Sequence, residues 1–170
     1  KEAMAQRAVQ FVEPGMGIAI SGGTTAYAFA RALIDVAGLT VVTNSLPAAD
    51  VLQTHGRGDQ TVLLTGGQRT PTDALVGPIA VDALRRLRVD LVFMGIHGMD
   101  ATAGFTTPNL LEADVNRALI DCGPSLIVIA DHTKWGVVGL SQIAPLSRAS
   151  VLITDDRLAA DARGILRESV

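Results

Sequence analysis

Short apolar runs alternate with helical patterns along almost the whole chain. Most of the apolar runs are continuous, which is typical of parallel strands that are covered on both faces. The pattern predicts strands at residues 17–21, 40–43, 61–65, 90–95, 125–130 and 150–154. It predicts a first helix before Pro14 and further helices at residues 25–36, 46–54, 78–88, 110–122 and 156–168. This order predicts an α/β fold with right-handed crossovers and a mostly parallel sheet flanked by helices.

Two of the predicted helices have a clear apolar face. In the helix at 78–88 this face includes Ile79 and Leu84, and Pro78 suits the first helical position. In the helix at 110–122 it includes Leu119 and Cys122. Cys122 is therefore interpreted as a core residue and not as a reactive thiol.

Two glycine-rich segments, 66–77 and 95–109, interrupt the alternation directly after predicted strands. Long loops without structure of their own are usually functional or disordered. In open parallel sheets, ligands bind beyond the carboxyl ends of the strands. Because all these segments follow strands, we expect them to meet at one edge of the sheet. The segments concerned are 21–25, 43–45, 66–67, 95–107 and 130–134.

The first of these segments has the composition of a phosphate-binding turn. Ser21, Gly22 and Gly23 follow the first strand, and Thr24 and Thr25 open the next helix. Glycines let backbone N–H groups approach an anion, and the helix directs its positive end there. A tight turn with a threonine N-cap and no ligand is the alternative.

This turn matches neither of two common nucleotide-binding motifs. It is not a P-loop, because Gly23 occupies the place of the essential lysine. It is not a dinucleotide fingerprint, because Gly15 and Gly17 come before the strand. No cofactor is therefore expected.

The other strand ends carry further candidate ligands. Thr43 and Asn44 are candidate ligands for sugar hydroxyls or phosphate. The alternative for Asn44 or Ser45 is that it caps the N-terminus of the following helix. Gly66 and Gly67 allow a close backbone approach to a ligand, or form a turn.

Two later segments add groups that ionise. His97 and Asp100 could form a general acid–base pair, and the acidic Glu112 lies farther along the chain. The alternative is that Asp100 stabilises its own turn through backbone hydrogen bonds. Lys134 could neutralise the charge of a bound phosphate, and the alternative is that it forms a surface ion pair with Asp131. The three histidines and one cysteine show no metal-ligand spacing.

Length and charge narrow the function classes. A chain of 170 residues favours a single domain. Fourteen basic and 17 acidic residues give a net charge of −3, which argues against this chain binding nucleic acid by itself. A single cysteine and the absence of an apolar run of 18 residues predict a soluble cytoplasmic protein.

Eight short motifs occur in an order that resembles one known family. They are "ISGGTT", "VVTNSLPAADVL", "LLTGGQ", "LVGPIAVDAL", "VDLVFMGIHGMDATAGFTT", "EADVNRALI", "ADHTKWG" and "LITDD". Together they resemble the C-terminal sensor domain of the DeoR family of bacterial transcriptional regulators, over essentially all 170 residues. That family includes repressors that respond to glycerol phosphate and sugar phosphates.

The resemblance implies a fold and a biological role. It implies the Rossmann-like fold of ribose-5-phosphate isomerase and glucosamine-6-phosphate deaminase. It also implies a phosphorylated sugar or related metabolite as the effector that releases the full-length repressor from DNA. A winged helix-turn-helix domain is expected to precede Lys1 in the whole protein, and self-association is expected.

The resemblance also assigns a site. The family's phosphate turn falls on residues 21–25 and its Thr-Asn pair on Thr43 and Asn44. Its late lysine falls on Lys134, and its glycine loop falls on Gly95, Gly98, Asp100 and Gly104. Many relatives have an aspartate where this chain has Ile20 and a lysine where it has Asn116.

The related isomerases and deaminases supply the alternative function, which is proton transfer on an open-chain sugar. They use acidic residues in the glycine loop, a nearby lysine and a glutamate base. Here Asp100 is kept, but His97 stands where a second acid is expected and the lysine is missing. We therefore predict a binding domain and not an enzyme.

Overall fold

The chain forms eleven strands and six α-helices in the computed structural model, which describes all of Lys1–Val170. The strands are β1 (Gly17–Ile20), β2 (Thr40–Thr43), β3 (Thr61–Leu64), β4 (Gln68–Arg69), β5 (Leu75–Val76), β6 (Leu91–Gly95), β7 (Gly98–Asp100), β8 (Gly104–Thr107), β9 (Ser125–Ile129), β10 (Ser141–Ala144) and β11 (Val151–Ile153). The helices are α1 (Glu2–Val9), α2 (Thr24–Ala32), α3 (Leu46–His55), α4 (Pro78–Arg85), α5 (Leu110–Asp121) and α6 (Ala160–Ser169). None of the helices combines the length and the hydropathy that a membrane-spanning helix requires.

The main sheet has six parallel strands in the order β11-β9-β6-β1-β2-β3. All six predicted strands are present within one or two residues of their expected ends, so the predicted α/β class is confirmed. The strand order reverses at β1: the chain continues to β2 and β3 on one side of it and to β6, β9 and β11 on the other. A reversal of this kind opens a crevice at the carboxyl edge, where ligands of open α/β sheets bind.

Helices cover both faces of this sheet. Alternate strand residues face opposite sides: Ile18 and Ile20 pack in a core with α1, α2 and α3, whereas Ala19 packs in a core with α4, α5 and α6. The edge strand β3 departs from the expected two-sided burial, because Leu63 and Leu64 are 40% and 44% exposed.

The two glycine-rich segments contain strands, so the expectation of structureless loops is wrong. Strands β4 and β5 form a small hairpin, and β7, β8 and β10 form an antiparallel sheet in the order β10-β8-β7. Pairing places Met99 opposite Phe105, and both are buried in the core with α4 and α5. These short strands form because they cover the main sheet with two large apolar side chains.

Some helix details also differ from the pattern. Helices α2 and α4 end three or four residues before the predicted ends, because Leu33 and Leu87 pack against the core from the turn that follows each helix. Ile79 is 68% exposed, and Ala80 is buried in its place.

Cys122 is buried, and burial raises the pKa of its thiol, which confirms its interpretation as a core residue.

Replacement of Asn109 by alanine is expected to destabilise the domain by about 1 kcal/mol. Asn109 caps α5, since its Oδ1 accepts hydrogen bonds from the backbone N–H groups of Leu111 (2.9 Å) and Glu112 (3.1 Å). Chemical denaturation measures the loss. Asn109→Asp keeps the acceptor and should retain most of the stability; equal losses in both variants would contradict the capping role.

Candidate functional site

A cleft of about 560 Å³ lies beyond the carboxyl ends of β1, β2, β6 and β9. Eighteen residues line it, and eight of them are among the candidates proposed from the sequence. Those eight are Gly22, Gly23, Thr24, Thr25, Asn44, Gly95, His97 and Lys134. The cleft is lined mainly by small polar residues, which suits a hydrophilic ligand better than an apolar one.

The turn between β1 and α2 leaves the start of the helix open. Gly23 is the N-cap residue, and no side chain caps α2, so the alternative of a threonine cap is wrong. The first helical hydrogen bond runs from Tyr27 N to Gly23 O, which leaves the N–H groups of Thr24, Thr25 and Ala26 without helical partners. No acidic residue occupies the first turn of α2. An anion in the cleft therefore meets free N–H donors and the positive end of the helix dipole.

Ser21 is buried behind this turn and holds it in place. Its Oγ accepts a hydrogen bond from Gly95 N (3.1 Å) and donates one to Gly22 O (3.3 Å). The end of β1 is thereby joined to the end of β6. Ser21 thus supports the turn and does not line the cleft itself.

Lys134 enters the cleft from the short 3₁₀ turn His132–Lys134, which follows β9. It makes no salt bridge with Asp131, so the alternative of a surface ion pair is not seen. Hydrogen bonds from the hydroxyl and the N–H of Thr133 hold the pKa of Asp131 below its usual value. Lys134 is thus available to a ligand.

His132 and Asp155 fasten the turn that carries Lys134. The backbone N–H of His132 donates to Asp155 Oδ1 (3.0 Å), and its Nδ1 lies 2.7 Å from Oδ2. Arg157 is near the same carboxylate, with Nε 3.4 Å from Oδ2. Burial opposes ionisation of Asp155, but the hydrogen bonds from His132 outweigh it, and the pKa of Asp155 lies below its usual value.

This lowered pKa predicts a dependence of stability on pH. A depressed carboxyl pKa contributes stability that is complete above the unfolded pKa of about 3.9 and is lost as the pH falls through the folded pKa. Asp155→Asn should therefore lower the melting temperature at pH 7, and the difference should shrink as the pH falls below about 3.9. Thermal unfolding of both proteins across this range measures the effect, and a pH-independent difference would refute the charge-based account.

The second strand end contributes Asn44 and Ser45 to the cleft wall. Thr43 is buried, and its Oγ1 donates to Ile20 O (2.7 Å), so it joins β2 to β1 and does not line the cleft. Ser45 is the N-cap of α3, because its Oγ accepts from Ala48 N. Asn44 lines the cleft while its Nδ2 donates to Leu75 O (3.0 Å), and its buried Oδ1 has no partner.

Besides Ser21 and Thr43, five further candidates lie outside the cleft, namely Gly66, Gly67, Gly98, Asp100 and Gly104. A Cβ at Gly67, Gly98 or Gly104 would lie within 2.5 Å of a backbone carbonyl oxygen, so close packing requires glycine at these positions. Gly66 has φ +73°, which favours glycine for conformational reasons.

Asp100 stabilises its own turn, as the alternative interpretation had it. Its Oδ1 accepts hydrogen bonds from Ala103 N (2.9 Å) and Thr102 N (2.8 Å), and these bonds lower its pKa. His97 lines the cleft without it. The structure does not assemble the suggested acid–base pair.

Ten cleft residues were not among the candidates, and three of them, Thr72, Thr107 and Glu112, are joined by hydrogen bonds. Thr107 ends β8, Glu112 lies in the first turn of α5, and Thr72 lies between β4 and β5. Thr72 and Thr107 reach the cleft through the two small sheets, whose strands were not predicted, whereas Glu112 reaches it from the predicted helix at 110–122. No group of three or more His, Cys, Asp or Glu side chains is placed to hold a metal ion.

Comparison with known proteins relates this geometry to a family. The model of the DeoR C-terminal sensor domain matches residues 1–156. The HTH-type transcriptional regulator GlpR of Haloferax volcanii is 36% identical over 164 residues, which is 96% of this chain and 63% of that protein. The glycerol-3-phosphate regulon repressor of Escherichia coli strain K12 is 28% identical over 156 residues, 91% of this chain and 61% of that protein. The chain thus spans less than two thirds of the length of these relatives.

A solved structure confirms the fold. Ribose 5-phosphate isomerase A from Methanocaldococcus jannaschii superposes with a TM-score of 0.54 at 17% identity, over 79% of this chain and 52% of that one. At this identity the likeness concerns the fold alone. The two sequence relatives are transcriptional regulators and not enzymes. The chain belongs to the family of DeoR C-terminal sensor domains, which are parts of transcriptional regulators.

Proposed function

We propose that this sensor domain binds a phosphorylated sugar or a related metabolite in the cleft. One observation carries the proposal: the uncapped start of α2, with Gly22 and Gly23 in front of it, faces the same cleft as Lys134. Free N–H donors, a helix dipole and an ammonium group are together what a phosphate requires.

The size of the cleft agrees with such a ligand. Small-molecule sites commonly measure about 300–1,000 Å³, and the cleft measures about 560 Å³. This volume is in the range expected for a site that holds a pentose or hexose phosphate, and the proposal puts the phosphate group at the turn. The threonine, asparagine and serine side chains of the wall supply hydrogen bonds to sugar hydroxyls.

Isomerase or deaminase chemistry has less support in this cleft. Glu112 is the only carboxylate that lines it, and Asp100 is engaged in its own turn. Proton transfer between neighbouring sugar carbons needs an acid and a base within reach of the same substrate. Incubation with ribose 5-phosphate or glucosamine 6-phosphate should therefore give no turnover.

A thermal-shift comparison of matched ligand pairs tests the proposal. Each sugar phosphate is compared with its unphosphorylated sugar, because ligand binding to the native state raises the melting temperature. At least one phosphate ester should stabilise the domain, and its parent sugar should not. If no phosphate ester and no inorganic phosphate shifts the melting temperature, the proposal fails.

The whole protein is proposed to be a repressor whose DNA binding responds to this ligand. Its relatives are longer than this chain and carry HTH in their names, so a winged helix-turn-helix domain is proposed to precede Lys1. Self-association of the sensor domains is proposed as well. The gene sequence upstream of Lys1 tests the first point, and sedimentation of the whole protein tests the second.

A further inference from the structure

Glu112 places a lone carboxylate in a cleft that otherwise favours anions. It lies in the first turn of α5, is half-buried, and makes no salt bridge. Its neighbours are hydroxyl groups: Thr107 Oγ1 donates to Oε2 (3.2 Å) and Thr72 Oγ1 to Oε1 (3.5 Å). An ionised carboxylate has about four acceptor positions, so acceptor capacity remains for a ligand.

The next residue of α5 that lines the cleft does not neutralise this charge. Asn116 follows Glu112 by four positions, which places it one turn along the same face of the helix. Its amide carries no charge. The cleft therefore combines an anionic part at Glu112 with a cationic part, made by the start of α2, Lys134 and Lys1, whose Nζ donates to Thr24 Oγ1 (2.7 Å).

We propose that Glu112 selects the class of ligand by contacting the part of it that lies beyond the phosphate. The carboxylate accepts hydrogen bonds from hydroxyl groups and repels a second anionic group. The ligand class is then a phosphorylated polyol or neutral sugar, and phosphorylated sugar acids are rejected. This inference rests on the proposed function of the cleft.

A purely structural role for Glu112 is separable from this one. An acidic residue in the first turn of a helix stabilises the helix through its dipole. Removal of that charge changes the stability of the free domain and of each complex by the same amount. Ligand preference, by contrast, changes only if the carboxylate faces the ligand. The readout must therefore be a ratio of affinities and not a melting temperature alone.

The test uses two pairs of ligands that differ only in a terminal CH₂OH or COO⁻ group. These are glycerol 3-phosphate with 3-phosphoglycerate, and ribitol 5-phosphate with 5-phosphoribonate. Inorganic phosphate serves as the reference for the phosphate part of the cleft. Isothermal titration of the wild-type domain should show that at least one alcohol binds more tightly than phosphate, and about fivefold or more tightly than its acid.

Three variants complete the design. In Glu112→Gln, the affinities for the alcohol and for the acid should differ by no more than about twofold, and the affinity for inorganic phosphate should be nearly unchanged. Asn116→Lys should act in the same direction, because an ammonium four residues after a glutamate pairs with it. Asp114→Asn removes one negative charge from the same helix outside the cleft and should keep the wild-type ratio.

The outcomes separate the inference from the function on which it rests. A wild-type domain that binds acid and alcohol equally, or a preference that survives Glu112→Gln, overturns the role of Glu112 while phosphate binding stands. Alcohols that bind no better than inorganic phosphate overturn it as well. If the wild-type domain binds none of these ligands, including inorganic phosphate, the proposed function itself is wrong.

Discussion

Replacement of Gly23 by alanine is expected to weaken phosphate binding at least tenfold and to reduce the stabilisation of this domain by phosphate esters accordingly. Gly23 has φ +105° and ψ 164°, a conformation that is almost confined to glycine. A side chain there costs about 1–3 kcal/mol of strain, and the backbone relieves it by rotating the peptides that present N–H groups to the cleft. We expect phosphate affinity to fall at least tenfold, measured by isothermal titration.

The cause of this loss is conformational and not a steric block. A Cβ at Gly23 would have no atom within 4 Å, so alanine meets open space. Gly15 provides a matched control, because it has φ +85°, equally open surroundings and a position outside the cleft. Gly15→Ala should lower stability and leave phosphate affinity intact. A Gly23→Ala domain that binds phosphate as well as the wild type would place the phosphate elsewhere.

Lys134→Ala is expected to weaken phosphate binding by about 10- to 100-fold. A hydrogen bond to a charged group contributes about 1.5–3 kcal/mol, and about 1.4 kcal/mol corresponds to a tenfold change in affinity. Lys134 makes no salt bridge, and Thr133 more than Lys134 holds the pKa of Asp131 below its usual value, so the fold should lose little stability. Titration with inorganic phosphate at low and high ionic strength measures the effect.

A second cation variant distinguishes a direct contact from a general charge effect. Arg86 is exposed just after α4, makes no ion pair and lies outside the cleft. Arg86→Ala changes the net charge as Lys134→Ala does, but should keep wild-type affinity at 0.15 M salt, where surface charges are screened beyond about 8 Å. Equal losses in both variants would show that Lys134 does not contact the phosphate.

The main sheet was predictable because its strands carry their own signal. The runs at 17–21 and 125–130 are short, apolar and bounded by turn residues, and each became a strand of nearly the predicted length. Because parallel strands end at one edge, the positions of Gly22, Asn44 and Lys134 near one cleft followed from strand order alone.

The small sheets were not predictable because their stability depends on distant residues. Strand β8 pairs with β10, which lies more than thirty residues farther along the chain. Gly98 and Gly104 resemble ligand-binding glycines in sequence, but they are needed where Val137 and Ala144 approach their backbone. Such close approaches have no local pattern.

Glu112 shows the same limit in the site itself. Its position in a capped helix start is visible in the sequence, and that position alone indicates only helix stabilisation. Its place in the cleft depends on contacts with Thr72 and Thr107, which come from two different hairpins. Tertiary structure was required to bring these three residues together.

The most direct test of phosphate binding is a titration of the ¹⁵N-labelled domain with inorganic phosphate, followed by amide chemical shifts. If phosphate binds at this turn, the largest saturable shifts occur at Gly22, Gly23, Thr24 and Thr25, whose N–H groups lie at the open start of α2. Shifts that saturate at Gly66 and Gly67 instead, or no saturable shifts at the α2 turn, would contradict phosphate binding there.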